Sequence, residues 1–499
     1  MAFTLVVLGS VMGSPQLSGA ASSGGSLVIG SAVAPPSLDP TSNASAAIDE
    51  VFDYNVYQHL VELDPKGAVI PVLATTYKVS SDGLTYTFAV RSGVTFSNGD
   101  PMTAADVAYS LNRAVDPKSG YPYQSLVADV SSVTAPNPST VVVKLTHPDN
   151  QFLYNLAAYS NGMVLDPAAV ASIATAPVGT GPYMYQSQIS NYDVVLAANP
   201  NYWGPKPHLS TVTFRYFSSP STMDSALQSG QIQVIDNLDN SQNVSQFKNN
   251  SSFKVIHGPT EGKIDLTLNN TAGPLKKLKV RQAITYATNK SAILKTVGAG
   301  YGTVIGSDQV PGDPWYTPSV NKAYSYNPAK ARKLLAEAGY KHGFSITLTL
   351  PPYGYATTAG PLIQAELAAV GIKVTIIPIA AKDFGTALTK RTFQAIAFTW
   401  VGTPFPYPAL NQFFNPKSSS DYSGYDNADV NALIAKVSTE MDQTKRDDYV
   451  LQAEKIAWTE VQIIPLYQRP DQWAVNSKVA NYGAFGLSTP NWENIGFVK

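Results

Sequence analysis

The chain has 499 residues, length for about three domains and for large cores, with 44% hydrophobic and only 14% charged residues. A net charge of −1 leaves no basic footprint for nucleic acid or an anionic membrane, and the absence of cysteine excludes thiol catalysis, disulfides and thiolate metal sites. Tyrosine occurs 28 times and proline 36 times, a low-charge balance that suits an extracytoplasmic protein.

Residues 1–25 are expected to be a signal peptide and tether. Ala2 to Leu8 is apolar but too short to span a bilayer. Ser18-Gly19-Ala20 offers small residues at cleavage spacing, and an Ala/Ser/Gly stretch follows. Leu17-Ser18-Gly19-Ala20 also has the shape of a bacterial lipobox with alanine in place of the acceptor cysteine.

From there strands and helices alternate, the pattern of an α/β protein. Leu27-Val28-Ile29 marks a first strand, and residues 46–63 read as a helix on the spacing of Val51, Tyr54, Leu60 and Val61. A hairpin is predicted over 76–91, turning at Ser80-Ser81-Asp82-Gly83. Thr103 and Asp106 form a capping box that opens a helix over 104–115, and 141–145 is a strand. Strands at 194–197, 211–217, 232–235, 253–256 and 263–268 enclose a helix at 221–229. Beyond about residue 271, helices are expected at 278–287, 328–338, 359–370, 428–437 and 443–459, with strands at 345–350, 373–377 and 393–398. Gly339 and Gly371 stand where helix C-termini want a left-handed residue. After the last strand, Trp400 to Pro408 carries three aromatics and three prolines, read as a stiff, apolar, concave loop at a strand end, where α/β sheets open onto ligand crevices. The tail, 468–498, is again strand-like.

Catalytic signals are missing. The five histidines are isolated and form no helical metal pair. No nucleophile elbow or phosphate loop occurs, and Gly298-Ala299-Gly300-Tyr301-Gly302 has the wrong spacing for a dinucleotide loop. Asp236, Asp239 and Asp265 are taken as solvated surface acids rather than a cluster. No cofactor and no metal are expected.

The order of local patterns resembles family 5 of the extracytoplasmic solute-binding proteins of bacterial ABC importers, the dipeptide, oligopeptide and nickel type. The resemblance runs through Leu38-Asp39-Pro40, Tyr57-Gln58-His59-Leu60-Val61 and Pro71-Val72-Leu73-Ala74. Its most diagnostic stretch is Phe88 to Pro101 with Thr103-Ala104-Ala105-Asp106-Val107 behind it. Later come Gly179-Thr180-Gly181-Pro182-Tyr183, Asn199-Pro200-Asn201-Tyr202-Trp203, Val280-Arg281-Gln282-Ala283 and Ala331 to Tyr340. Most of these patterns are structural.

The resemblance implies a two-lobed periplasmic-binding-protein fold with an extra subdomain in the first lobe. The first lobe would be 26–55, 178–270 and 468–499, the extra subdomain 56–177 and the second lobe 271–467, with chain crossings near Asn269-Asn270 and near Gln468-Arg469-Pro470. It also implies a non-enzymatic receptor, expected to be monomeric, that closes on a peptide or similar small oligomeric solute and delivers it to an ABC permease and its ATPase. Trp400 stands where peptide-binding members place a cleft tryptophan. Three residues later those members carry an aspartate for the peptide α-amino group; here that position is Thr403, and Pro406-Tyr407-Pro408 replaces a further acidic pair. Losing that charge-assisted anchor favours a neutral or hydroxyl-rich ligand, such as an oligosaccharide or a blocked peptide, against Phe405 and Tyr407. Further cleft candidates are Ser37 and Asp39 after the first strand, Tyr54, Asn269, and Tyr355 beside Tyr353. A secreted hydrolase is the alternative from another class, opposed by the missing nucleophile and carboxylate motifs.

Overall fold

The computed structural model describes residues 21–498 apart from 23, 65–66, 237, 239–243, 259–261, 312–315, 402–405, 419, 470 and 484–491. Among the described residues, two large sheets organise the molecule. The first lobe is built on seven strands in the order Phe253–Gly258, Asp471–Asn476, Val234–Ile235, Ser26–Ser31, Thr211–Tyr216, Asp193–Ala198 and Tyr183–Ile189. Ser26–Ser31 lies at its centre, parallel to both neighbours, and buries Leu27 and Ile29 completely. The second lobe is built on six strands: Thr303–Val304, Ile463–Gln468, Gly262–Leu268, Ala395–Val401, Phe344–Leu350 and Ile372–Pro378. Helices pack on both of its faces. Ile264, Leu266 and Leu268 meet one helical layer; Ile396 and Phe398 meet the layer that contains Phe413, Ile434 and Trp458.

A third core belongs to the four-stranded sheet Ala74–Val79, Thr85–Val90, Thr140–Leu145 and Val130–Asn137. The hairpin predicted at 76–91 forms its first two strands. The helix Ala104–Val115 covers it, opened by the Thr103–Asp106 capping box and sealed by Val107 and Leu111.

Three elements depart from expectation. The helix expected over 46–63 stops at Phe52. Asp53 adopts extended backbone, Tyr54 is left-handed at φ 59°, and the Asn55 side chain donates to Asp53 O. The apolar residues that follow are buried on all sides, and Val61–Leu63 is a strand. Trp400, expected in a loop, lies inside the strand Ala395–Val401, and Pro406–Phe414 is a helix. The strand Gly262–Leu268, expected in the first lobe, pairs with Ala395–Val401 and Ile463–Gln468. The first crossing therefore falls between Gly258 and Gly262, not at Asn269-Asn270. At the second crossing the chain leaves the strand ending at Gln468 and enters the one beginning at Asp471. Arg469 N donates to Gly262 O at 2.8 Å, tying the two crossings together.

Candidate functional site

Strand directions locate the cleft. The C-terminal ends of Ser26–Ser31, Thr211–Tyr216, Val234–Ile235 and Phe253–Gly258 share one edge, and Asp471 enters the sheet there. Both crossings leave from that edge. In the second lobe, Gly262, Val401 and Gln468 lie together at the edge that receives the crossings, and the parallel strands ending at Leu350 and Pro378 finish on the same side. The two edges face each other across the hinge, where open α/β sheets bind ligands.

The second-lobe edge is aromatic. Trp400 meets Phe413 edge-on at 4.6 Å. Phe413 and Phe384 both contact Phe398, Phe384 meets Tyr353, and Tyr353 stacks on Tyr355 at 5.9 Å with planes 15° apart. Tyr353 is 41% exposed, whereas the Tyr355 hydroxyl is buried without a hydrogen-bond partner among the described residues. The Trp400 indole N–H donates to Asp265 Oδ2 at 2.5 Å, and the Lys263 ammonium sits 4.8 Å from the ring centre. Asp265 is only 2% exposed, which overturns its reading as a solvated acid. Burial pushes its carboxyl up to about 7, against the opposing pull of the indole hydrogen bond and the Lys263 and Lys290 charges. Burial likewise brings Lys290 down to about 8, opposed by Asp265.

The first-lobe edge is polar. Glu50, on the helix Ala46–Phe52, meets Asp236 and Ser31 at the ends of the central strands. Burial and the neighbouring Asp236 raise the Glu50 carboxyl well above the usual carboxylate range. The Tyr216 phenol is raised by burial and then by Glu50, and its hydroxyl has no hydrogen-bond partner among the described residues. Sequence reading missed Glu50 and Tyr216; their only signal was their place at or beside the ends of parallel strands.

The remaining predicted residues scatter. Thr403 and Phe405 lie outside the described residues. Tyr407 sits in the first turn of Pro406–Phe414, half-buried against the second-lobe aromatics; burial, with the Asp149 charge adding to it, pushes its phenol up to about 12. Asn269 is saturated, its amide donating to Arg391 O and Phe393 O and accepting from Thr271. Asp39 is buried and accepts from Thr41 N and Oγ1 in a local turn, and Ser37 Oγ accepts from Asp39 N. The Tyr54 hydroxyl donates to Ala157 O at 2.9 Å, fastening the turn that follows the first helix to the helix Phe152–Ala158. Among the described residues, no group of three or more His, Asp or Glu could hold a metal ion.

The sequence patterns named above meet at structural joints. Gln58 Oε1 accepts from Thr180 Oγ1 and from Trp203 Nε1, Asn199 Nδ2 donates to Gly181 O, and the Arg91 guanidinium lies 4.3 Å over the Trp203 ring. His59 is fully buried with Nε2 2.7 Å from Asp53 Oδ1. Burial works against its charged form, but the Asp53 carboxylate outweighs it and the imidazole pKa is raised. Arg281 donates to Glu460 O and Val461 O beyond the helix Gln443–Thr459, and to Leu275 O and Lys276 O. A separate contact crosses between the extra subdomain and the second lobe: Asn150 Nδ2 donates to Val437 O and Glu440 O at 2.5 and 3.1 Å.

Residues 68–421 match the bacterial extracellular solute-binding proteins, family 5. The glutathione-binding protein GsiB of Escherichia coli K12 is 30% identical over 446 residues, 86% of each chain. DppA of Helicobacter pylori, an ABC transporter-associated periplasmic binding protein solved with the peptide STSA, superposes with a TM-score of 0.84 at 25% identity, covering 96% of this chain and 99% of its own. AgaA of Agrobacterium tumefaciens R10, solved with agropinic acid, gives 0.79 at 25% identity over 95% and 99%. The chain belongs to the family 5 extracellular solute-binding proteins. It is a two-lobed, extracytoplasmic, non-enzymatic receptor of an ABC import system, working with a membrane permease and its ATPase.

Proposed function

We propose that this receptor captures a small peptide-like or similarly sized oligomeric solute between the two facing sheet edges and closes on it by hinge motion. The carrying observation is the aromatic wall from Trp400 to Tyr355 on the second-lobe edge. It offers ring faces for apolar or π contact opposite the Glu50, Asp236 and Tyr216 edge. The relatives, one a glutathione-binding protein and one solved with a tetrapeptide, support a ligand with peptide character. Threonine at 403 leaves a free α-amino group without its charge-assisted partner, so blocked, side-chain-linked or neutral oligomers, oligosaccharides included, bind more tightly than free dipeptides. The receptor works as an exported monomer, with residues 56–177 as the extra subdomain and the second lobe lying between the two crossings. Isothermal titration with free dipeptides, their N-acetylated forms, glutathione and an oligosaccharide panel tests the reading. Preference for free dipeptides over the N-acetylated forms would overturn the part assigned to Thr403.

A further inference from the structure

Asp265 and Lys263 are both nearly fully buried at the second-lobe edge, and burying a carboxylate is costly unless it is well paired. Asp265 directs Oδ2 at the Trp400 indole N–H, while Oδ1 has no hydrogen-bond partner among the described residues. A tryptophan that only filled a core would need no ionisable acceptor, because a backbone carbonyl would serve. The strand register explains the arrangement. Lys263 is the direct cross-strand partner of Trp400 and Asp265 that of Phe398, so all four side chains share one sheet face. The ring is thereby held three ways: at its N–H by Asp265, over one face by the Lys263 ammonium at 4.8 Å, and at its edge by Phe413 at 4.6 Å. Trp400 is the penultimate residue of its strand, on the edge that faces the first lobe.

We infer that Asp265 and Lys263 are positioning residues for solute capture, locking the Trp400 indole so that it presents a single ring face, and no hydrogen-bond donor, to the ligand. This rests on the reading of Trp400 as a ligand platform. A solute then stacks on Trp400 but gains no hydrogen bond from it, and the recognition of its polar groups falls to other residues.

The tether is also sensitive to acid. Carboxylate acceptors make stronger hydrogen bonds than neutral ones, and burial places the Asp265 titration near 7. The charged and titratable groups around it are Lys263 on its own strand, Lys290 at the start of Lys290–Val297, Asp308, Glu454 on Gln443–Thr459, and Tyr355 with Arg469 at the edge.

The test uses the full chain and two readouts. In the first, the Trp400 indole N–H resonance is assigned by its loss in Trp400→Phe. It should be protected from solvent exchange and should shift with a midpoint within about one unit of pH 7. Asp265→Asn, whose amide oxygen still accepts, should keep the protection and lose the shift. Asp265→Leu should lose both. Protection or a shift that survives in Asp265→Leu overturns the inference.

The second readout is the affinity for glutathione and for the peptide Ser-Thr-Ser-Ala. Asp265→Leu should weaken it about 5- to 30-fold, Lys263→Met by a smaller factor, and Asp265→Asn by less than about threefold. Loss of affinity in Trp400→Ala with none in Asp265→Leu overturns the positioning role alone. Full affinity in both variants overturns the platform reading beneath it.

Discussion

Replacing Asn150 with alanine probes closure directly. Asn150 lies in the extra subdomain, just beyond the strand Thr140–Leu145, and its Nδ2 donates to Val437 O and Glu440 O at the C-terminus of Ala428–Thr439 in the second lobe. Those carbonyls belong to the unsatisfied set that ends every helix. Gln151 Nε2 donates to Asn150 Oδ1 at 2.8 Å and holds the amide in this orientation. The hairpin tip lies beside the same second-lobe loop, since a Cβ added at Gly83 would come within 3.2 Å of the Met441 sulfur. The subdomain reaches the second lobe along the chain only through the first lobe, so these bonds exist only while the lobes are together. Each contributes about 0.5–1.5 kcal/mol net, so Asn150→Ala removes about 1–3 kcal/mol from the closed state. In the open state the freed carbonyls are hydrated and nothing is lost. If capture requires closure, solute affinity falls about 5- to 150-fold, and small-angle scattering shows a larger radius of gyration for the solute-free variant. Titration calorimetry against the solute released from the purified wild type, with thermal melting as a check on folding, measures the effect. An affinity within about twofold of wild type in a folded variant would refute the claim that these bonds belong to the closed state alone.

Further outcomes follow from the site and its supports. Trp400→Ala should weaken solute binding about tenfold or more while leaving secondary structure intact by circular dichroism. Gly181→Ala places a Cβ 2.2 Å from Asn55 O, a clash with backbone that cannot move aside. It should cost about 3 kcal/mol or more and be seen as a lower melting temperature or insoluble protein. Stability should also fall as pH rises. Burial raises Asp49 and Asp265 to about 7 and Glu62 to about 8, whereas unfolded carboxyls titrate near about 4. Their contribution is complete below about pH 4 and is lost as pH climbs through about 7 to 8. Lys290, depressed to about 8, acts in the opposite sense, but only above that value. The melting temperature should therefore drop by several degrees between about pH 5.5 and about pH 8.5, and a rise over that interval would contradict the burial of these groups.

Much of the architecture was legible because local chemistry and tertiary packing agree. The capping box at Thr103, the turn at Gly83 and the helix ends at Gly339 and Gly371, at φ 88° and 93°, each carry their own physical reason. Legibility failed where burial erases periodicity. Val56, Tyr57, Leu60 and Val61 are all fully buried, so their spacing imitates a helix that Asp53, Tyr54 and Asn55 have already ended. Every residue of Gly262–Leu268 is buried, which removes the alternation that would have placed Lys263 and Asp265 on one face, and the partner strands lie far along the chain. The same strand explains why Asn269 looked like a hinge residue: its sequence position suggested a crossing, and only the pairing with Ala395–Val401 puts it inside the second lobe. Trp400 stood out in sequence as a ring beside a strand, but its tether could be seen only once Asp265 had been brought against it.

In this receptor two facing sheet edges hold a solute and release it unaltered. Native mass spectrometry of receptor purified without denaturant, followed by unfolding and identification of the released small molecule, measures this most directly. One solute per chain should be released, and it should rebind in unchanged form to refolded receptor and not to the Trp400→Ala variant. A chain that carries and rebinds nothing, or that returns the solute chemically altered, would contradict it.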